Sequence, residues 1–245
     1  MFLKEHEVRR EDFLHHTHRD PHRQAYELSD VILGGQDGLV NVLGVILGVA
    51  AATNDPYIVL VAGLAATFAE SVSMGAVAYT STLADADFYE SEREREYRHI
   101  QDVPHLERQE IRKIYIEKGF EGEMLERIVD TITANEDVWV AVMMAEEHQL
   151  IPTNRRNALR SALIVGLAAI IGSLIPLAPF LLLSVKMSIW VSILVSALVL
   201  FVVGAYKARV TVGRPARSGL EMALIGTVSA LVGYAVGLIL KISNG

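Results

Sequence analysis

The fold class follows from residues Pro56–Asp102, PYIVLVAGLAATFAESVSMGAVAYTSTLADADFYESEREREYRHIQD. Asp55 is a favourable N-cap, Pro56 suits the first helical position, and the next proline is Pro104, so we predict one continuous helix. At about 1.5 Å per residue it would be roughly 70 Å long, whereas the hydrocarbon core of a bilayer is about 30 Å thick. The first half is apolar and the second is densely charged. We therefore predict that only the first half crosses a membrane.

Glu70 is the one charged residue in the apolar half of this helix, and Met74 follows it by four residues on the same face. An ionisable group at bilayer depth is costly unless it faces water or a partner, which makes Glu70 a candidate functional residue. The alternatives are a protonated Glu70 that hydrogen-bonds a neighbouring helix and a Met74 that only packs.

Composition places the whole chain in the membrane class. Its 245 residues are 51% hydrophobic, the mean hydropathy is +0.33, and the apolar residues come in blocks, which excludes an ordinary soluble domain. There is no cysteine, so disulfides and thiolate ligands are excluded. Any metal site must use carboxylate, imidazole or thioether groups.

Residues 1–28 form a polar arm without the apolar segment of a secretory signal peptide. A cluster of histidines can bind a transition metal, but the irregular spacing here favours a solvated or membrane-surface arm. The arm holds five of the eight histidines: His6, His15, His16, His18 and His22.

The first predicted span covers about 29–52 and carries Asp30 and Asp37 on one face. Measured from the membrane boundary, Asp37 reaches the same depth as Met74, and Glu70 lies one turn deeper. Two carboxylates and a thioether at adjoining levels can hold a dehydrated divalent cation of intermediate softness. Small-xxx-small spacings that allow close helix packing occur at Gly34/Gly38 and Gly44/Gly48.

An acidic insert follows, at residues 85–156. Between Asp85 and Leu150 there are 18 acidic residues and 8 lysines or arginines. Stop signals at Pro104, Gly119 and Pro152 predict helices at about 105–118, 121–135 and 136–150. The insert should form a small helical domain at the end of the long helix.

Ligand-type residues recur in this insert at helical spacings. Carboxylates gathered from several helix faces repel one another unless cations neutralise them. A solvated acidic surface is the alternative, but two adjacent methionines are hard to explain on such a surface. The candidate ligands are Glu96 and His99, Glu107 and Glu110, and Met143, Met144 and Glu147.

Three more spans are predicted at about 159–184, 189–206 and 222–240, with a kink from Pro176 and Pro179 near the end of the third. Lysine and arginine number 5 in residues 1–29, 10 in 82–157 and 4 in 207–217, against 0 in 53–55 and 1 in 185–188. This bias predicts a cytosolic N-terminus and a cytosolic insert.

The chain is therefore predicted to be an all-α polytopic membrane protein with five transmembrane helices and a cytosolic helical metal-binding insert that extends from the second helix. The domain boundaries that we expect are 1–28 for the arm, 29–84 for the two helices lining the ion path, 85–156 for the insert and 157–241 for the last three helices.

Several motifs occur in order in these spans: DVILGGQDGLV, SVSMGAVAY running into ADADFYESEREREYR, VPHLERQEI, VMMAEEH and GSLIPLAPF. Over about residues 28–241 the chain resembles the vacuolar iron transporter family of plants, fungi and prokaryotes. The resemblance implies a homodimer that exports Fe²⁺, and often Mn²⁺, Co²⁺ or Zn²⁺, from the cytosol in exchange for protons. It implies the cell membrane in a prokaryote or the vacuolar membrane in a eukaryote, a non-enzymatic protein, and no nucleic-acid partner.

Carried over to this chain, the resemblance implies that Asp37 and Met74 are intramembrane ligands and that Asp30 lies nearer the entrance. It assigns metal-domain positions to Glu96, Glu107, Glu110, Met143, Met144 and Glu147, with His99 where plant members are expected to have glutamate. The chain departs from the family at Ala66, where plant members carry a carboxylate. Glu70, one turn nearer Met74, is its candidate replacement as ligand or proton carrier.

Two other classes stay open from the sequence. Glu96-x-x-His99 is half of the di-iron signature of ferritin-like bundles, so a membrane-anchored ferroxidase is one alternative. A passive divalent-cation channel is the other, and it would not respond to a pH gradient.

Overall fold

The computed structural model describes residues 25–211 and 213–243, and the side chains of 28–211 and 213–241. The histidine arm of residues 1–24 lies outside the described residues. The described part contains helices and turns but no strand. Its helices are α1 (Ala25–Thr53), α2 (Pro56–Asp102), α3 (Pro104–Glu117), α4 (Gly122–Thr133), α5 (Glu136–Glu146), α6 (Asn157–Leu177), α7 (Pro179–Leu182), α8 (Val185–Val210) and α9 (Pro215–Ser243).

The long helix α2 forms as predicted, over 47 residues without a break. Asp55 caps it, because its Oδ1 accepts hydrogen bonds from the backbone N–H of Tyr57 at 2.8 Å and of Ile58 at 3.3 Å. Asn54 turns the chain from α1 into α2 with a φ of 53°, in the left-handed region that asparagine tolerates. The helix ends at Asp102, immediately before Val103 and Pro104.

Five of the described helices, α1, α2, α6, α8 and α9, are long and apolar enough to cross a membrane. This confirms the all-α fold with five spans. The helices extend beyond the predicted apolar segments, most of all α9, which begins at Pro215 rather than near 222. Backbone hydrogen bonding continues past the apolar stretch, so hydropathy marks the membrane segment and not the helix end.

The described residues divide into two compact units, and those within 25–71 and 167–243 form the first. Its core includes Val42, Leu43, Ile46 and Leu47 of α1, all at most 1% exposed. Helix α9 packs along α1, and a Cβ on Gly233 would collide with the backbone oxygen of Gly44. The structure therefore confirms that glycine spacing allows close helix packing.

The third span is interrupted where the prolines predicted a kink. Helix α6 ends at Leu177, and the single turn α7 begins at Pro179. Serines of α8 satisfy carbonyl groups at this break: Ser192 Oγ donates to the oxygen of Pro176 at 2.7 Å and Ser188 Oγ to that of Pro179 at 3.1 Å. The break is thus stabilised inside the apolar unit.

The second unit covers residues 72–166. Helices α3, α4 and α5 pack together around a separate hydrophobic core that includes Ile111, Val129 and Val140. Asn135 caps α5 by accepting a hydrogen bond of 3.2 Å from the backbone N–H of Val138. On the surface, Arg112 holds Glu126 through two hydrogen bonds of 3.0 and 2.6 Å. The insert therefore has a core of its own.

Candidate metal sites

In the first unit, two carboxyl groups lie side by side on α1 and α2. Asn41 Nδ2 donates a hydrogen bond of 2.7 Å to Glu70 Oε1, and the Asp37 carboxyl group lies close enough to act on Glu70 electrostatically. Asp37 and Glu70 are half-buried and Asn41 is exposed. Two carboxyl groups can share a hydrogen bond only when one carries a proton, whereas a cation needs both ionised. The pair is therefore a candidate site for a cation or a proton.

The other predicted intramembrane residues lie along the same helices. Asp30 is half-buried on α1, two turns before Asp37. Met74 is half-buried on α2, one turn after Glu70, and belongs to the second unit. Ala66, one turn before Glu70 on α2, packs against the hydrophobic core of the first unit.

In the second unit, α2 and α3 and the end of α5 bring carboxylates and imidazoles together. His99 Nδ1 lies 3.8 Å from Glu96 Oε1 and 3.5 Å from Glu107 Oε1. His148 Nε2 lies 2.9 Å from Glu96 Oε1. Two groups of three could hold a cation, with ligand atoms all within 4.8 Å of one another. They are Glu96, Glu147 and His148, and Glu96, His99 and Glu107.

The pKa values of three groups in this cluster are raised above their ordinary values. Burial, together with the negative charges of Glu110, Glu96 and Glu147, raises the pKa of Glu107 from 4.5 to about 7. Burial and the charge of Glu110 also raise the pKa of Glu147. Burial alone would lower the pKa of His148, but the hydrogen bond to Glu96 and the surrounding carboxylates outweigh it and raise that pKa.

Glu96 and Glu107 are the buried members, at 2% and 3% exposure. The Oε2 atoms of both are buried without a hydrogen-bond partner. In the part of the chain that the structure describes, their ion-pair partners are histidines. A buried carboxylate oxygen without a partner is costly, and a bound cation would satisfy it. Carboxylate and imidazole groups that lie together are ligands that a divalent transition-metal ion can bind.

The remaining predicted ligands lie either beside this cluster or in the hydrophobic core of the insert. Glu110 is half-buried on α3, and its charge reaches Glu107. Met143 and Met144 are 0% and 1% exposed in the core of the insert, which accounts for two adjacent methionines by packing. Their role as thioether ligands stays a prediction.

Sequence reasoning missed two residues that the structure brings into these clusters, Asn41 and His148. Asn41 lies one turn after Asp37, so helical spacing could have identified it. His148 directly follows Glu147, but it lies beyond the end of α5, where spacings of three and four residues no longer apply.

Comparison with known proteins covers both units of the chain. A sequence model of the VIT family matches residues 28–238. Vacuolar iron transporter 1 of Tulipa gesneriana is 33% identical over 221 residues, which cover 89% of this chain and 90% of the relative. Vacuolar iron transporter 1 of Arabidopsis thaliana is 31% identical, covering 93% and 91%. The vacuolar iron transporter of Plasmodium falciparum is 30% identical, covering 94% and 89%.

Proposed function

The chain belongs to the VIT family, and from that premise we propose that it exports Fe²⁺ from the cytosol as a homodimeric, proton-coupled antiporter. Relatives named vacuolar iron transporter support transport of iron, and the five apolar helices support a multi-pass membrane protein. Mn²⁺, Co²⁺ and Zn²⁺ are further candidate substrates. The observation that carries the proposal is the carboxyl pair Asp37–Glu70 on two helices that are long and apolar enough to cross a membrane.

The insert is proposed to collect the cation. Its acidic residues raise the local concentration of divalent ions. The partnerless oxygens of Glu96 and Glu107 then replace water around the ion. The full set of proposed ligands is Glu96, His99, Glu107, Glu110, Met143, Met144 and Glu147.

The membrane step is proposed to run along α1 and α2. The cation passes Asp30 and loses water to Asp37, Glu70 and the thioether of Met74. A proton arriving from the far side competes for Asp37 and Glu70, because protonation removes the charge that holds the cation. Asn41 fixes the Glu70 carboxyl group through its hydrogen bond.

A homodimer is supported by the exposure of this site in a single chain. Asn41 is exposed and Asp37 and Glu70 are only half-buried, although all three lie on apolar helices. Polar groups at bilayer depth face a protein or a water-filled path rather than lipid. A second subunit that covers this face would enclose the path.

The proposed orientation has the N-terminus and the insert in the cytosol, because lysine and arginine concentrate in those segments and in residues 207–217. The membrane would be the cell membrane in a prokaryote and the vacuolar membrane in a eukaryote.

Fe²⁺ uptake into proteoliposomes with an acidic interior tests the proposal. The pH gradient should accelerate uptake, and Asp37→Asn or Glu70→Gln should abolish this acceleration. A channel would carry Fe²⁺ without responding to the gradient. A ferroxidase would consume oxygen on Fe²⁺ addition, whether or not the protein is in vesicles. Unchanged, gradient-dependent uptake in both variants would contradict the assignment of the pair.

A further inference from the structure

His148 reaches the insert cluster because of how α5 ends. The helix stops at Glu146, and Gln149 takes a φ of 54°. The backbone N–H of His148 donates to the oxygen of Met143 at 3.2 Å, and that of Leu150 to Met144 at 2.9 Å. This reversal brings Nε2 of His148 to 2.9 Å from Glu96 Oε1, on the neighbouring helix α2.

The distances around Glu96 and Glu107 are those of atoms that share a cation. Nitrogen and oxygen ligands lie about 2.0 to 2.2 Å from Zn²⁺, so two ligands at octahedral or tetrahedral angles are about 2.8 to 3.6 Å apart. His148 Nε2 and Glu96 Oε1 are 2.9 Å apart, and His99 Nδ1 and Glu107 Oε1 are 3.5 Å apart. Both histidines thus stand at ligand spacing from a buried carboxylate.

A hydrogen bond between His148 and Glu96 accounts for only one oxygen of that carboxylate. The Oε2 atoms of Glu96 and Glu107 stay buried and without a hydrogen-bond partner. Since Glu96 is 2% exposed, solvent cannot compensate for this. The unsatisfied atoms belong to the same side chains that the histidines approach, which points to a cation as the missing partner.

We propose that His148 is a ligand of the cytosolic cation site and that, together with His99, it makes this site select nitrogen-favouring divalent cations over oxygen-favouring ones. The inference rests on the proposed function, since it assigns the specificity of the collecting site. Imidazole suits Zn²⁺, Ni²⁺ and Fe²⁺, whereas carboxylate and water suit Mn²⁺ and Mg²⁺. Glu96 belongs to both ligand groups, and each group supplies one imidazole.

This specificity belongs to the insert and not to the carboxyl pair. The groups gathered around Glu70 are the carboxyl of Asp37 and the amide of Asn41, and neither carries an imidazole. The selection that depends on imidazole is therefore made in the insert.

Metal titration of the purified full-length chain in detergent tests the inference, with the affinities for Zn²⁺ and Mn²⁺ measured separately. His148→Gln keeps an amide donor for Glu96 but removes the imidazole. It should lower the Zn²⁺ affinity by about tenfold or more and leave the Mn²⁺ affinity nearly unchanged. His105→Gln is the matched control, because His105 is exposed in the same insert. The five histidines of the arm contribute equally to every variant.

His99→Gln provides a second variant, since the His99 side chain is 46% exposed and its loss leaves the core of the insert intact. Like His148→Gln, it should lower the ratio of Zn²⁺ affinity to Mn²⁺ affinity. X-ray absorption at the zinc edge should show less imidazole scattering in both variants than in the His105→Gln control. Equal losses of Zn²⁺ and Mn²⁺ affinity, or unchanged imidazole scattering, would overturn the inference.

Glu96→Gln separates this inference from the proposed function. Weaker binding of both metals in Glu96→Gln, with the ratio of Zn²⁺ to Mn²⁺ affinity unchanged in His148→Gln, would support the collecting site and contradict the assignment of His148 as a ligand. If Glu96→Gln affects neither metal, the collecting role of the insert falls.

Discussion

The carboxyl pair of the first unit and the cluster of the insert both contain carboxyl groups, but the side chains beside those groups differ. Glu70 has a second carboxyl group and one amide beside it. Glu96 has two histidines beside it and belongs to two possible ligand groups. The pair offers few ligands and the cluster offers many.

The difference indicates how one chain can both capture and release a cation. Many ligands, two of them nitrogen, favour tight capture in the insert. Two carboxyl groups close together favour release, because a single proton removes much of the charge that attracts the cation. We therefore expect changes in the pair to alter transport itself and changes in the cluster to alter the metal concentration it requires.

The largest effect is expected for Asp37→Asn, which removes one carboxylate of the pair. Fe²⁺ transport in proteoliposomes should fall by about 100-fold or more, while metal binding to the insert in detergent stays unchanged. Glu221→Gln is the control, since Glu221 is an exposed carboxylate paired with Arg217 at the start of α9. Loss of insert binding in Asp37→Asn would show that the two regions are not separate.

A smaller and different effect is expected for Glu96→Gln. The KM for Fe²⁺ should rise by about tenfold with little change in the maximal rate, because the capture site is weakened and the path is not. Glu123→Gln should do nothing, since the Glu123 side chain is 83% exposed. A fall in maximal rate at saturating Fe²⁺ would place Glu96 in the transport step.

The pH dependence of metal binding should separate the cluster from a simple acidic surface. The raised pKa of Glu107, about 7, means that the folded chain binds more protons than the unfolded chain between pH 4.5 and 7. This contribution to stability is present below pH 4.5 and is lost as the pH rises through 7. Cation binding must displace the proton, so calorimetry in buffers of different ionisation enthalpy should show more proton release at pH 6 than at pH 8.

Glu107→Gln should reduce that proton release at pH 6. The shifts of Glu147 and His148 have the same sign, so some release should remain. Equal release at both pH values in the unmodified chain would contradict the raised pKa of the cluster.

The smallest effect is expected for Asn41→Ala, which removes the hydrogen bond to Glu70 but neither carboxyl group. Losing one such bond should slow Fe²⁺ transport by about two- to tenfold and shift its pH dependence. Thr227→Ala is a matched control on α9, because its hydroxyl group bonds only to the backbone oxygen of Ala223 among the described contacts. An unchanged pH profile of transport in Asn41→Ala would contradict the proposed role of Asn41 in fixing the Glu70 carboxyl group.

The fold was predictable because membrane spans leave a direct signal. Asp55, Pro56 and the switch from apolar to charged residues define α2 without any tertiary information, and the prolines at 176 and 179 locate the break after α6. Backbone hydrogen bonds must be satisfied within each span, so local sequence decides the element.

The site was predictable only where ligands lie at helical spacing. Glu96 with His99 and Glu107 with Glu110 were identified in this way, and the structure gathers both pairs. His148 depends on a chain reversal after α5, which periodicity does not predict. Asn41 lies at helical spacing from Asp37, but its contact with Glu70 of α2 follows only from the structure. Adjacent Met143 and Met144 indicate metal ligands from the sequence alone, but burial in the core of the insert also accounts for them.

Cation and proton are proposed to exclude one another at Asp37 and Glu70, and counter-movement of protons tests this exclusion most directly. Vesicles with equal pH inside and outside, loaded with a pH-sensitive dye, are given external Fe²⁺. The interior should become more alkaline as Fe²⁺ enters, and Glu70→Gln should abolish this change. Fe²⁺ entry through the unmodified chain without any change in internal pH would contradict the exchange of protons for the cation.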